Sequence, residues 1–202
     1  MPVVQNEWFG GNDVVKIARE MIGMEIFSQM SEGVVSGIIT ETEAYAGVED
    51  RASHAWNNRR TPRTEIMYRE GGTLYIYLCY GIHSLLNIVT NQTDIPHAVL
   101  IRGLIPKSGQ DMMLKHLKWK RFKSSDLYGP GNVAKALGMH HSDSGMILNK
   151  MSEQTGKKVW IEQADSAKLT DHIIVGTRIG VNYAGKDALL PYRFMLDQNK
   201  IK

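Results

Sequence analysis

Residues 41–56, ETEAYAGVEDRASHAW, gather acid, aromatic and imidazole groups at the end of an apolar strand pattern. Side chains alternate along an extended chain, so Glu41 and Glu43 share one face and Thr42 takes the other. A carboxylate at a strand end beside a polar loop suits general-base work, and it suits a structural salt bridge equally well. Tyr45 stays on the face of Glu43 if extension continues, and His54 follows on a loop with Glu49 and Asp50. Further along, Tyr75 and Tyr77 share a face by the same period of two, and Tyr80 stands at a turn just before Gly81. A slot between tyrosines and an imidazole is what a planar heterocycle needs for stacking. Ordinary cross-strand aromatic pairing is the alternative.

Basic groups surround this unit. Arg59, Arg60 and Arg63 follow His54, and Arg102 lies inside an apolar strand, where an unpaired charge is costly and a groove or an anion is expected beside it. From Lys107 to Lys123 six Lys or Arg residues and His116 face only Asp111. Basic groups together with stacking aromatics meet the criterion for a nucleic-acid partner, although a lysine-rich helix face is more often merely solvated. His83, His97, His116, His140, His141 and His172 lack ligand spacing, and Cys79 is the single cysteine, so neither a metal site nor an intramolecular disulfide is expected.

The elements that must position these groups read mainly as strands. Asn12 and Asp13 can cap a helix reaching about Met21, with Gly23 as its stop. Residues 24–29 and 34–43 read as strands around a Glu32-Gly33 turn, and residues 46–65 as a polar loop. GTLYIYLCYGIHSLLNIVT reads as a hairpin turning at Tyr80-Gly81, and HAVLIRGLIP as a strand ended by Pro106. Residues 109–121 read as an amphipathic helix, GPGNVAKALGM as a short helix behind a Pro-Gly turn, and KVWIEQ, RIGVN and YRFML as short strands. With few helices and no βαβ alternation, the expected fold is α+β: residues 1–202 as one domain, with a curved, mainly antiparallel sheet, helices around it and a protruding β-hairpin.

A chain of 202 residues with 43% hydrophobic content is long and apolar enough for a proper core. Its net charge of +3 permits a polyanion as partner without demanding one. The N-terminal residues carry no secretory pattern, and no apolar run nears the roughly 18 residues of a membrane span. The expectation is an intracellular protein, in the cytoplasm or nucleoid of a bacterium, with no membrane association.

ETEAY, EDRASH, GTLYIYLCYGIHSLLNI, VLIRGLIP, GPGNVAKALG and RIGVNYAG…YRFML, in that order, resemble the alkyladenine DNA glycosylase family, the 3-methyladenine DNA glycosylases of the mammalian type. The resemblance spans about Trp8 to Met195. It implies a monofunctional enzyme that flips 3-methyladenine, 7-methylguanine, hypoxanthine or ethenoadenine out of duplex DNA and hydrolyses the N-glycosidic bond, starting base excision repair. By the resemblance, Glu43 activates the attacking water, and Tyr45, His54 and Tyr77 enclose the flipped base. Asn87 crowds the 2-amino group of guanine, Tyr80 fills the gap left in the stack, and Arg102 lies near the nucleotide backbone. Lys135 is a looser candidate for a backbone contact. Cofactors and an obligate protein partner are not implied, and a monomer is expected. The sequence departs from the family at His83, where some members carry tyrosine, and across 107–125. No lysine stands in the place of Glu43, which argues against a Schiff-base lyase step. A non-catalytic module recognising damaged DNA or structured RNA, and a hydrolase of free nucleosides, remain the competing readings.

Overall fold

The computed structural model describes residues 1–122, 127–163 and 172–197. A short helix α1 (Asn6–Phe9) precedes α2 (Val14–Glu20), whose N-cap Asp13 accepts a hydrogen bond from the Lys16 amide. Gly23 then adopts φ +89°, a left-handed turn that a side chain would disfavour. The chain enters β1 (Glu25–Met30), turns, and runs through β2 (Gly33–Tyr45), the longest strand. After the loop come β3 (Leu74–Cys79) and β4 (His83–Thr90), an antiparallel pair joined through Tyr80, Gly81 and Ile82, and then β5 (His97–Ser108). Helix α3 (Gln110–Leu117), the short β6 (Leu127–Tyr128) and helix α4 (Pro130–Ala136) follow, and then β7 (Lys158–Glu162), β8 (Ile173–Gly176) and β9 (Arg193–Leu196).

All nine strands belong to one antiparallel sheet with the main order β3-β4-β5-β2-β1-β7. Strand β2 is its spine. One edge of β2 pairs with β5 along its length, while the other pairs with β1 as far as Ile38 and with β9 from Glu41 to Glu43. The β2–β5 register slips around Glu41, and such bulges bend a strand and increase its twist. The bend has a sequence requirement opposite it. A Cβ added at Gly103 would stand 2.7 Å from Thr40 Oγ1 and 3.0 Å from Glu41 Cβ, so the two backbones close over each other only because residue 103 is glycine.

The core lies between this curved sheet and the helices. Ile17 and Ala18 of α2, Met113 and Leu117 of α3, and Val133, Ala134 and Ala136 of α4 pack with Ile26, Ile39, Leu86, Ile88, Ile101 and Leu104. Thr42, on the helix side of β2, donates to the Ala18 carbonyl at 2.7 Å, which ties α2 to the strand and leaves Glu41 and Glu43 for the opposite side.

The α+β reading and its curved antiparallel sheet hold, with four local corrections. Pro106 does not end β5: it lies opposite Gly37 at a register slip, where a missing amide donor is tolerated. RIGVN is not a strand, because its polar groups are committed to side chains on β2 and the loop, as set out below. Strand β8 was not anticipated, and its half-exposed Ile174 and Val175 explain why no clean alternation marks it. Residues 46–65 are also better packed than a polar loop: they form 3-10 turns at Gly47–Glu49, Trp56–Asn58 and the start of Thr64–Tyr68, with Ala52, Ala55 and Thr64 buried.

Candidate active site

Glu43 sits at 0% exposure near the end of β2, yet its carboxylate is surrounded by polar groups. Tyr45 donates its hydroxyl to Oε2 at 2.8 Å, and the Ile179 amide donates to Oε1 at 2.8 Å. Arg102 Nε lies 3.4 Å from Oε1 and donates to Glu41 at 3.0 Å, and Arg193 donates to the same Glu41 oxygen at 2.6 Å. Two carboxylates and two guanidiniums thus form one cluster. Burial pushes the Glu43 carboxyl above its ordinary range, against the pull of Arg102, the Ile179 amide and the Tyr45 hydroxyl. A carboxylate in that balance is a stronger base than an exposed one, which is the property general-base catalysis requires.

Beside it a cavity of about 490 Å3 opens, a size within the usual range for a ligand pocket. Tyr45, His54, Tyr75, Tyr77, Asn87 and Arg102 are among its walls. His54 meets Tyr77 edge to face, with ring centres 4.6 Å apart, and its Nδ1 is 2.9 Å from the Tyr75 hydroxyl. Tyr75 and Tyr77 stack at 5.5 Å. Burial, followed by the charges of Arg63 and Arg59, holds His54 down to about 4, so the imidazole is neutral at physiological pH. Burial also raises Tyr75 to about 12 and carries Tyr45 and Tyr77 upward, so all three phenols stay protonated. The walls therefore present neutral rings and fixed hydroxyls. Asn87 is fixed too, since its Nδ2 donates to the Tyr75 and Leu85 carbonyls at 3.1 and 3.2 Å.

The hairpin tip stands at the rim. Tyr80 lines the cavity mouth while remaining 91% exposed, and it holds a left-handed backbone with φ 50°, an uncommon state for an aromatic residue. Gly81 follows at φ +69° with nothing close to it, so the tip is free to present the phenol outward.

The structure thus brings Glu43, Tyr45, His54, Tyr77, Tyr80, Asn87 and Arg102 together, although they come from β2, a loop, β3, the hairpin tip, β4 and β5. Arg102, expected beside a groove or an anion, meets both: it lines the cavity, and it pairs with the protein's own Glu41 and Glu43. Lys135 is exposed on α4 and does not line the cavity. Of the loop arginines, Arg60 is neutralised by Glu65 and Asp94.

One buried support was missed as an individual residue. Arg178, 5% exposed, donates to the Asp50 carboxylate through both terminal nitrogens, and to the carbonyls of Ala44 and Asp187 at 2.9 and 3.0 Å. Its guanidinium carbon also lies 4.9 Å from the centre of the Tyr45 ring. Asp50 in turn accepts from the amides of Ala46 and Ala52. This knot clamps the segment carrying Ile179 against the strand carrying Glu43. An arginine inside an apolar RIGV run is the one sequence signal that marks it, by the same costly-charge argument that singled out Arg102.

A carboxylate and an aromatic cavity occur in unrelated enzymes, so the decision rests on the whole chain. Residues 8–200 match the family model described as methylpurine-DNA glycosylase (MPG). The chain belongs to the methylpurine-DNA glycosylase family. It is 38% identical over 196 residues to a Chlamydia pneumoniae protein named "Putative 3-methyladenine DNA glycosylase", covering 96% of this chain and 95% of that one. A Bacillus subtilis (strain 168) protein of the same name is 38% identical over 186 residues, covering 92% and 89%. A member from Clostridium perfringens (strain SM101 / Type A), also so named, is 33% identical over 199 residues, covering 95% of each chain. As a methylpurine-DNA glycosylase family member the protein is a DNA glycosylase, a hydrolase of N-glycosyl compounds. Among the described residues no three His, Cys, Asp or Glu side chains converge as a metal site, and no helix is long and apolar enough to cross a membrane.

Proposed function

We propose that this protein removes 3-methyladenine and related damaged purines, namely 7-methylguanine, hypoxanthine and ethenoadenine, from duplex DNA. The damaged nucleotide swings out of the helix, and its base enters the cavity between Tyr45, His54 and Tyr77. Extrusion costs a few kcal/mol, least at a damaged pair, and Tyr80 offsets part of that cost by filling the vacated stack. Cleavage of the N-glycosidic bond builds positive charge on the sugar, which an ionised Glu43 stabilises while taking a proton from the incoming water. Asn87, locked by its two backbone bonds, offers a fixed wall against a purine carrying a 2-amino group. No lysine replaces the carboxylate, so the reaction is hydrolysis without a lyase step.

The observation that supports this most is the placement of Glu43 directly behind the cavity wall. Three of its partners, Tyr45, Arg102 and Ile179, are themselves lining residues, so exchanging one of their hydrogen bonds for a water gives that water a base on one side and the cavity on the other. Methylation at N3 or N7 leaves the purine positively charged. Such a base leaves without a further proton, and its charge is attracted to the π-faces of the surrounding rings.

A set of duplex oligonucleotides, each carrying one lesion, tests the proposal. Each is incubated with the wild-type protein and with Glu43→Gln, and abasic sites are cleaved by hot alkali. Wild type should release the base, and the variant should be slower by at least about 100-fold. Lesion-selective binding by both proteins with base release by neither would instead make this a recognition module.

A further inference from the structure

A second recess adjoins the base cavity and shares His54 and Tyr183 with it. It measures about 550 Å3, and its other walls are Arg51, Ser53, Trp56 and Arg59. Trp56 is 46% exposed and Tyr183 70% exposed, so two large rings face the solvent here beside two guanidiniums. The Arg51 guanidinium lies 5.7 Å from the centre of the Trp56 ring. Trp56 opens a tight 3-10 turn continued by Asn57 and Asn58 at φ 56° and 55°, which sets its backbone within the loop.

Charge distinguishes this recess from an ordinary surface hollow. Arg60, between these arginines in sequence, is neutralised by Glu65 and Asp94. The guanidiniums of Arg51 and Arg59 form no ion pair among the described residues, although the Arg51 amide donates to the Asp187 carboxylate at 2.9 Å. Two unneutralised guanidiniums beside an exposed indole form a site for an aromatic ring that carries an anion, which is the chemistry of a nucleotide. Stacking on an indole does not depend on which base is present.

We propose that this recess holds one unpaired nucleotide of the substrate strand, next to the flipped one, with its base on Trp56 and its phosphate against Arg51 and Arg59. The assignment rests on the glycosylase reading and adds to it: lesions flanked by an unpaired nucleotide, as at a mismatch or a strand end, are bound more tightly than lesions in fully paired DNA.

The test measures dissociation constants of Glu43→Gln, which spares the substrate, and of the same protein carrying Trp56→Ala or Trp56→Phe. The probes are a lesion duplex that is fully paired, the same duplex with the adjacent nucleotide unpaired, and free deoxyadenosine 5′-monophosphate. On the unpaired probe Trp56→Ala should weaken binding about tenfold, while Trp56→Phe retains most of the affinity. On the fully paired probe the change should stay within about twofold. Arg51→Gln should lower the salt dependence on the unpaired probe by about one released counterion. Equal affinities with and without Trp56→Ala on both duplexes would overturn the proposal. Trp56-dependent binding of the free nucleotide alone would overturn its assignment to the DNA strand. The wild-type base-release assay reports separately on the glycosylase reading, so the two failures are distinguishable.

Discussion

Tyr45→Phe isolates one hydrogen bond of the proposed base. The phenol donates to Glu43 Oε2 at 2.8 Å, and the ring also forms part of the cavity wall and lies against Arg178. Phenylalanine keeps the ring and removes only the donor. A hydrogen bond to a charged acceptor contributes about 1.5–3 kcal/mol, and Glu43 would retain the Ile179 amide and Arg102. Because the lost bond favours the ionised form, its removal raises a pKa that burial has already raised. A loss at the lower end of that range moves the pKa by about one pH unit. Single-turnover base release measured from pH 5 to 9 should therefore show an acidic limb displaced upward by about one pH unit in Tyr45→Phe. At pH values well above both limbs the two proteins should differ far less than they do at pH 6. An acidic limb that stays in place, or moves down, would refute the view that Glu43 titrates as the base and that Tyr45 helps keep it ionised.

Glu43→Gln should fold, and it should gain stability relative to wild type as pH rises. A carboxyl raised above its ordinary value of 4.5 stabilises the fold fully below that pH and loses the contribution up through its folded pKa, whereas glutamine does not titrate. Thermal melts at pH 4 and pH 8 check the sign, and a melting temperature of Glu43→Gln that falls relative to wild type between them would contradict it. His54 acts in the opposite sense: held down to about 4 from 6.5, it contributes stability above pH 6.5 that is lost as pH falls toward 4, about 3 kcal/mol in all. His54→Asn should flatten the melting profile over that interval. Arg178→Met should cost about 3–5 kcal/mol, since it leaves the Asp50 carboxylate buried without its cation, and urea unfolding at pH 7 measures the loss. Asp50→Asn with Arg178→Met should recover part of that cost, which would separate an unpaired charge from lost packing.

What could be read from the sequence followed the range over which each signal acts. The period of two placed Glu41 with Glu43 and Tyr75 with Tyr77, because alternation is a property of a single strand, and the structure keeps both pairs. The Asp13 cap, the turn at Tyr80-Gly81 and the short helix behind Pro130 are equally local. The partner of each buried charge was not readable. Arg102 announced that it needed a groove or an anion, but the anion it meets is supplied across the β2–β5 ladder, whose register is set by a bulge no pattern marks. RIGVN misled for the same reason. Its apolar content suits a strand, yet Arg178 turns inward to Asp50, 128 residues earlier, and the Ile179 amide donates to Glu43, 136 residues earlier.

Those long-range bonds carry a consequence for how the site is assembled. The segment that completes the carboxylate's shell belongs to the last part of the chain, and β9, just beyond it, pairs with β2 at Glu41, Thr42 and Glu43 themselves. Glu43 therefore acquires its Ile179 partner, and Glu41 its Arg193 partner, only when the C-terminal third has closed over the β1–β2–β5 sheet. Before that closure two carboxylates face one guanidinium, Arg102, and the like-charge repulsion between them is less fully offset. The energy that docks the C-terminal segment and the electrostatics around the proposed base thus come from the same contacts. A substitution that loosens the Arg178–Asp50 clamp should consequently lower base release before it unfolds the sheet, with catalysis and global stability separating in that order along a urea titration.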